Sequence, residues 1–377
     1  MTLMRCKMMM MICGFTLGLV FSCGPARADD KDMTVAQLQQ LLLANAKKRD
    51  SNLADKIYKV RLSERLSQER LNAAMAKLPG KKSRDALTAV ADMSQFLNLP
   101  EADQSRDGAP DAEAQKKTLR QMYEYAAHLI PTLPNIYARL TIRRYEDVPY
   151  DSLPDLGIVE QTVSLHLADL STKNVVYRGG HEVLEQDAKT RSANEAGTGN
   201  LSTEGTFGPM LQTILNDLAN GSVVWDHWEV HGQLRVAVFL YQVPANKSHY
   251  EIRVPPQNNP QPQRPAYHGE LHLDAATGTI LRLTMIAAFT AKDLCTRADM
   301  LVDYAPVEIG GKEFYCPIKG VAVSKVHRQI TGMADSQGTG GKQSTWEETG
   351  PQQLRVNDMR FDNFHLFRAD VEILPGN

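Results

Sequence analysis

Hydrophobic positions recur with two different periods along this chain, and the change falls near Pro134. Before it, apolar residues return every three or four positions, the spacing of amphipathic helices. Thr34-Val35-Ala36-Gln37 has the form of a capping box ahead of Val35, Leu38 and Leu42. Leu53, Ile57 and Val60 predict a second helix; Leu71, Met75 and Leu78 predict a third, stopped by Pro79-Gly80. Ser83 is placed to cap a fourth helix carrying Leu87, Val90 and Ala91. The polar stretch from Pro100 to Pro110 reads as a linker. Asp111 then caps a long helix in which Leu119, Met122, Tyr123, Ala126, Leu129 and Ile130 form one core-facing stripe.

From Ile136 onward the chain alternates in short segments broken by turns, the pattern of an antiparallel sheet. Candidate strands are Tyr137–Tyr145, Ser164–Ala168, Val175–Tyr177, Val223–His231, Leu234–Val243, Tyr250–Val254, Tyr267–Asp274, Ile280–Phe289, Leu301–Glu308, Glu313–Val326 and Arg355–Phe367. One helix, Phe207–Leu218, interrupts them. Asp274-Ala275-Ala276-Thr277-Gly278 and Gly310-Gly311 have hairpin-turn chemistry. Pro255–Pro265 and Thr331–Thr345 are polar enough to read as exposed loops. The expected fold class is α+β: a helical region over 29–135, then a curved, mainly antiparallel half-barrel sheet over 136–377 with a covering helix.

The first 28 residues fall outside both patterns. Arg5 and Lys7 precede an apolar run from Met8 to Val20, and Ala26-Arg27-Ala28 closes the segment. This is the layout of a secretory signal peptide cleaved after Ala28, with an apolar run too short for a comfortable membrane span. Val20-Phe21-Ser22-Cys23 loosely follows a lipobox, but Phe21 suits it poorly, so lipid anchoring through Cys23 is the lesser reading. The protein is expected to be exported, periplasmic or secreted, without a membrane span after cleavage. Of five cysteines, Cys295 and Cys316 survive processing; in an exported chain they are candidates for a disulfide, with free thiols the equal alternative.

Composition narrows the functional classes. A chain that is 42% hydrophobic and 23% charged is neither disordered nor fibrous. Residues 29–135 carry 17 basic and 15 acidic side chains, and 136–377 carry 22 and 29, too little positive charge for nucleic-acid binding. No G-x-S-x-G, C-x-x-C or H-E-x-x-H motif occurs, and Gly340-Gly341-Lys342 lacks the rest of a phosphate loop. The sharpest polar cluster is His268-Gly269-Glu270-Leu271-His272. On a strand its two histidines stand ~13 Å apart, too far to share an ion, so only His268 with Glu270 is a weak metal pair. The simpler reading makes that face the wet side of the strand. Trp225 and Trp228, three apart, should point to opposite faces, with His227 and His231 on the face of Trp225. No cofactor is implied.

Two strands are apolar on both faces and therefore need cover on each: Leu234–Val243 and Ile280–Phe289. If an apolar guest supplies that cover, alternation assigns Leu281, Leu283, Met285 and Phe289 to its site. Val236, Val238 and Leu240 would come from one face of the neighbouring strand, and Tyr267, Leu271 and Leu273 would continue the surface.

Several segments occur here in a recognisable order: Leu133-Pro134-Asn135 with Arg144-Tyr145-Glu146-Asp147, Gly205 to Leu211, Trp225 to Trp228, Val238 to Tyr241 with Ser248 and Tyr250, Asp274 to Leu283, and Val302-Asp303-Tyr304 to Gly310-Gly311. Over most of the mature chain this order resembles a group of uncharacterised exported proteins of Gram-negative soil bacteria. The β-region is more remotely similar to periplasmic outer-membrane lipoprotein carriers and related envelope-stress regulators. That resemblance implies an incomplete barrel, a helix across its mouth and an interior that accepts acyl chains. The first functional expectation is thus a non-catalytic envelope protein that binds a lipid or lipidated partner. The alternative is an interaction or regulatory module for an envelope protein partner, without a small ligand. A metal-dependent enzyme using His268 and Glu270 comes last.

Overall fold

The computed structural model describes residues 32–148, 151–153, 158–160, 163–178, 181–185, 209–252, 263–290, 293–334 and 344–366. Residues 1–31, with the expected signal peptide and Cys23, lie outside them, as do Gly340-Gly341-Lys342 and most of Pro255–Pro265. Four helices come first: α1 (Val35–Ala44), α2 (Asp50–Ile57), α3 (Gln68–Met75) and α4 (Lys81–Ser94). Thr34 and Gln37 form the expected capping box of α1. Ser83 does not cap α4; the Asp50 carboxylate of α2 accepts from the Lys82 and Ser83 N–H groups and from the Ser83 hydroxyl. A borrowed cap of this kind also fixes α2 against α4. The apolar stripes of the four helices close on one core containing Leu38, Leu53, Ile57, Leu71, Leu87 and Val90.

Helix α5 (Ala112–Thr132) follows, its first turn capped by Asp111. The strands are β1 (Ile136–Val148), β2 (Asp151–Leu153), β3 (Ile158–Glu160), β4 (Val163–Arg178) and β5 (His181–Glu185). After α6 (Pro209–Leu218) come β6 (Ser222–His231), β7 (Leu234–Val243), β8 (Tyr267–Asp274), β9 (Ile280–Ala287), β10 (Cys295–Ile309), β11 (Lys312–Ala334) and β12 (Ser344–Leu366). Among the described residues ten of these form one antiparallel sheet in the order β5-β4-β1-β12-β11-β10-β9-β8-β7-β6, while β2 and β3 form a separate hairpin. The fold is α+β with an open, curved sheet, as expected.

Several local expectations change. Ser164–Ala168 and Val175–Tyr177 belong to one long strand, β4. Strands β11 and β12 run deep into the polar stretch Thr331–Thr345, reaching Ala334 and restarting at Ser344, because main-chain pairing continues where side-chain alternation weakens. Among the described residues around Tyr250 an isolated bridge, Ile252 to Gln263, stands where a strand was expected; Val254 lies outside them. The Asp274–Gly278 turn is as read: Asp274 accepts from the Ala276 N–H, and Gly278 sits at φ +73°. A Cβ on Gly278 would meet the α5 backbone at Met122 at 2.5 Å, so this glycine also lets α5 lie against the turn.

Cys295 and Cys316 are both buried free thiols, which corrects the disulfide reading. Cys295 opens β10, whereas Cys316 pairs with Ala305 further along the same ladder. Ten residues of strand separate them, roughly 33 Å, far beyond disulfide reach.

The register sorts the sheet into two faces. One row of directly opposed residues is His227–Val238–His272–Arg282–Asp303–Lys319–Arg360–Thr141. The adjacent row, one residue along and so on the other face, is Trp225–Phe239–Leu271–Leu283–Val302–Gly320–Met359–Ile142. One face is thus polar across the centre and the other apolar throughout. Residues from 32 onward form a single compact unit with helices on both faces.

Candidate functional site

Over β6–β10 the apolar face is covered by two helices. Met122 of α5 and Met210, Leu211, Ile214 and Leu218 of α6 pack on Phe239, Tyr241, Tyr267, Leu271, Leu283, Met285 and Val302. Helix α6 is a separate ten-residue piece, and one buried carboxylate ties it down. Asp217 accepts from the His249 N–H at 2.9 Å and from the Tyr267 hydroxyl at 2.7 Å, and its other oxygen meets the His249 imidazole. Three partners from two later segments therefore converge on one side chain of the helix.

The structure divides the residues expected to line an apolar site. Tyr267, Leu271, Leu273, Leu283 and Met285 share the face under α5 and α6, all nearly or wholly buried. Val236 and Val238 lie on the opposite face, because β8 stands between β7 and β9 and sets Val238 opposite His272. Leu281 joins those two valines, shifted by an irregularity in the β8–β9 register. Leu240 is 38% exposed, and Phe289 lies past the end of β9 near Cys295.

Trp225 and Trp228 also differ from expectation. A bulge at Asp226 adds one residue to β6, so both indoles reach the apolar face with ring centroids 4.6 Å apart. The same bulge sets His227 and Glu229 on the polar face. The linker before α5 passes this edge: the Trp228 indole N–H donates to the Gly108 carbonyl at 2.9 Å, and the Arg235 guanidinium stacks 3.9 Å from the Trp228 ring.

The polar face is not wet, and here the reading of His268-Gly269-Glu270-Leu271-His272 needs correction. His272 is fully buried, as is much of the row around it, because α4 and the α2–α3 connection dock there. Arg65, on that connection, forms a close ion pair with Glu229 and stands 3.7 Å from Glu270. Gln95 accepts from Arg282, which clamps Asp303 through two bonds of 2.6 and 3.1 Å. Asp92 of α4 pairs with Lys319 at 2.6 Å. The helical region thus meets the sheet through two buried ion pairs, Arg65–Glu229 and Asp92–Lys319, beside the apolar contacts around Ala89.

Around Arg65 the groups converge further. His272 Nε2 bonds Glu270 at 2.7 Å, His231 Nε2 bonds Glu229 Oε2 at 2.9 Å, and His227 Nε2 bonds Glu229 Oε1 at 3.0 Å. Val236 and Val238 lie between these strands on β7; they are short enough for longer side chains of β6 and β8 to meet above them. Burial pushes the Glu229 carboxyl up, but hydrogen bonds from His227 and His231 and the Arg65 charge outweigh it and hold it far below the usual range. Burial pushes the His272 imidazole down, against the pull of Glu270 and Glu229. His268, the other half of the weak metal pair, is exposed on the strand and outside the cluster. Glu229 and His231 drew no notice as ligands in the sequence, since the bulge and the intervening strand hide their approach to His272.

No protein-family model and no curated protein matches the sequence. In structure the chain is similar to a LolA-superfamily protein from Nitrosomonas europaea, known from a crystal structure. The identity is 10% and the TM-score 0.31, over 68% of this chain and 97% of that one.

Proposed function

We propose that this chain is an exported, non-catalytic binding protein of the cell envelope, and that the apolar sheet face under α6 receives a lipid or the acyl part of a lipidated partner. The observation that carries the reading is the nature of the cover. Over β6–β10 a continuous apolar face is closed by helices, and α6 is a short piece held by the polar latch at Asp217. A guest would take the place of α6, exchanging one apolar cover for another at little cost in exposed area. The methionines on both sides, Met122, Met210 and Met285, suit a surface that repacks around different shapes.

A second reading has its own support. Met122 and Ile214 are wholly buried, so the closed face is already filled by its own helices. A protein that never opens would act through its outer surfaces as an interaction module. Native mass spectrometry of chain purified without detergent separates the two: added mass of a lipid is expected, and only the bare chain would favour the interaction module.

The latch supplies a second test. Asp217→Asn should weaken the closed state by about 1–3 kcal/mol, since buried donors lose a carboxylate acceptor. Each 1.4 kcal/mol raises an open population about tenfold. Uptake of a fluorescent fatty acid should therefore rise about tenfold over the unaltered chain. Unchanged uptake, with unchanged melting, would remove α6 as a lid.

A further inference from the structure

We infer that Glu229, His231 and His272 form a binding site for one divalent transition-metal ion of the zinc class. Three donor atoms, one from each residue, lie within 4.8 Å of one another. Glu229 Oε2 is 2.9 Å from His231 Nε2 and 3.6 Å from His272 Nδ1. A tetrahedral ion with bonds of about 2.0–2.2 Å sets its donors about 3.3–3.6 Å apart; one of these separations meets that range and the other is a few tenths of an ångström short of it. Only small side-chain movements are needed.

The second observation is independent of the clustering. His272 Nδ1 is buried and has no hydrogen-bond partner, although it faces the Glu229 carboxylate. Its other nitrogen is engaged with Glu270 at 2.7 Å, which places the ring proton on Nε2 and leaves a lone pair on Nδ1. A lone pair pointing at a carboxylate oxygen is an unfavourable arrangement that a cation between them relieves. A carboxylate behind a histidine is also the usual way a metal-binding imidazole is oriented and made more basic.

Charge and access fit the same assignment. Arg65 pairs with Glu229 Oε1 and leaves Oε2 to the ion, while also neutralising part of the Glu229 and Glu270 charge. His231 is 37% exposed at the end of β6, so the site opens to solvent on that side and an ion has a path in. Two imidazole nitrogens and one carboxylate suit zinc and its neighbours, whereas calcium and magnesium prefer oxygen alone. On binding, the ring proton of His231 sits on Nδ1, which leaves the Nε2 lone pair for the ion.

The test is titration of the metal-stripped chain with zinc against a chromophoric chelator. One ion per chain is expected, with a dissociation constant of about 1 µM or tighter. His231→Ala should weaken binding at least about tenfold and abolish the rise in melting temperature that zinc gives the unaltered chain. Glu270→Gln should weaken it about 10–100-fold, and His268→Ala should leave it unchanged. If His231→Ala does not fold, His231→Gln replaces it. Zinc that binds the unaltered chain and the His231 variant alike, or binds neither, overturns the site; so does an equal loss in His268→Ala.

Discussion

Leu283→Glu is expected to leave the chain without a cooperative native state. Leu283 has no exposed surface and stands between Leu271 and Val302 in the apolar row, in one cluster with Phe239, Met122 and Ile214. The substitution forfeits about 1.5–3 kcal/mol of leucine burial and adds several kcal/mol for a carboxyl group with no partner. That total rivals the about 5–15 kcal/mol by which a domain is stable. Leu240→Gln, at a 38% exposed position on the opposite sheet face, should change stability by less than about 0.5 kcal/mol. Circular dichroism and urea melts of the two variants make the comparison. A soluble Leu283→Glu that melts cooperatively would mean that the face holds water or a guest where α6 lies in the closed chain.

Lys319→Met should cost about 3–5 kcal/mol near neutral pH, because it strands the buried Asp92 carboxylate. Methionine keeps the length of the lysine stem, so lost packing is a small part of this. Asp358, also fully buried, pushes the Asp92 carboxyl further up, and the downward pull of Arg360 is weaker than that of the missing Lys319. The double variant Asp92→Leu with Lys319→Met should recover most of the loss, since an apolar pair replaces an ion pair at little net cost. The pH dependence has a definite sign. Burial pushes the Asp92 carboxyl up to about 6, with Lys319 pulling against it. A carboxyl raised above its unfolded value, about 3.9, favours the fold below that value and loses the contribution as pH rises through about 6. Without Lys319 the carboxyl rises further, so the deficit of the variant should shrink as pH falls from about 7 towards 4. Urea denaturation at both ends of that range reads it. A loss under about 1 kcal/mol at neutral pH would mean that Asp92 and Lys319 do not hold the helical region to the sheet.

What could be read in advance was local. The capping box at Thr34, the cap at Asp111, the change of period at Ile136 and the Asp274–Gly278 turn each depend on residues within about five positions of one another. What could not be read was set by distant contacts. Asp50 reaches across 33 positions to serve as the cap that Ser83 was expected to supply. One extra residue at Asp226 reverses the phase of β6 and brings two tryptophans together that simple alternation separates. His272 looked like a surface residue because alternation reports only that a face is polar. The α2–α3 connection with Arg65, more than two hundred positions earlier, and α4 together turn that face into an interior. The faces follow the same rule: Leu271, Leu283 and Met285 share one by alternation within a strand, whereas placing Val238 needs the strand order.

The two cysteines lead to a different kind of statement, about chemical reactivity. Each thiol is sealed in the native chain, and burial pushes them up to about 11 at Cys295 and about 12 at Cys316. The thiolate is the reactive species, so alkylating reagents and oxidants find almost nothing to attack while the fold is intact. Once the strands separate, both thiols return to ordinary acidity on one flexible segment, where ring closure between them becomes easy. In an oxidising compartment a single excursion to the unfolded state can then be captured as a covalent loop, and that loop must be reduced before β10 and β11 can pair again.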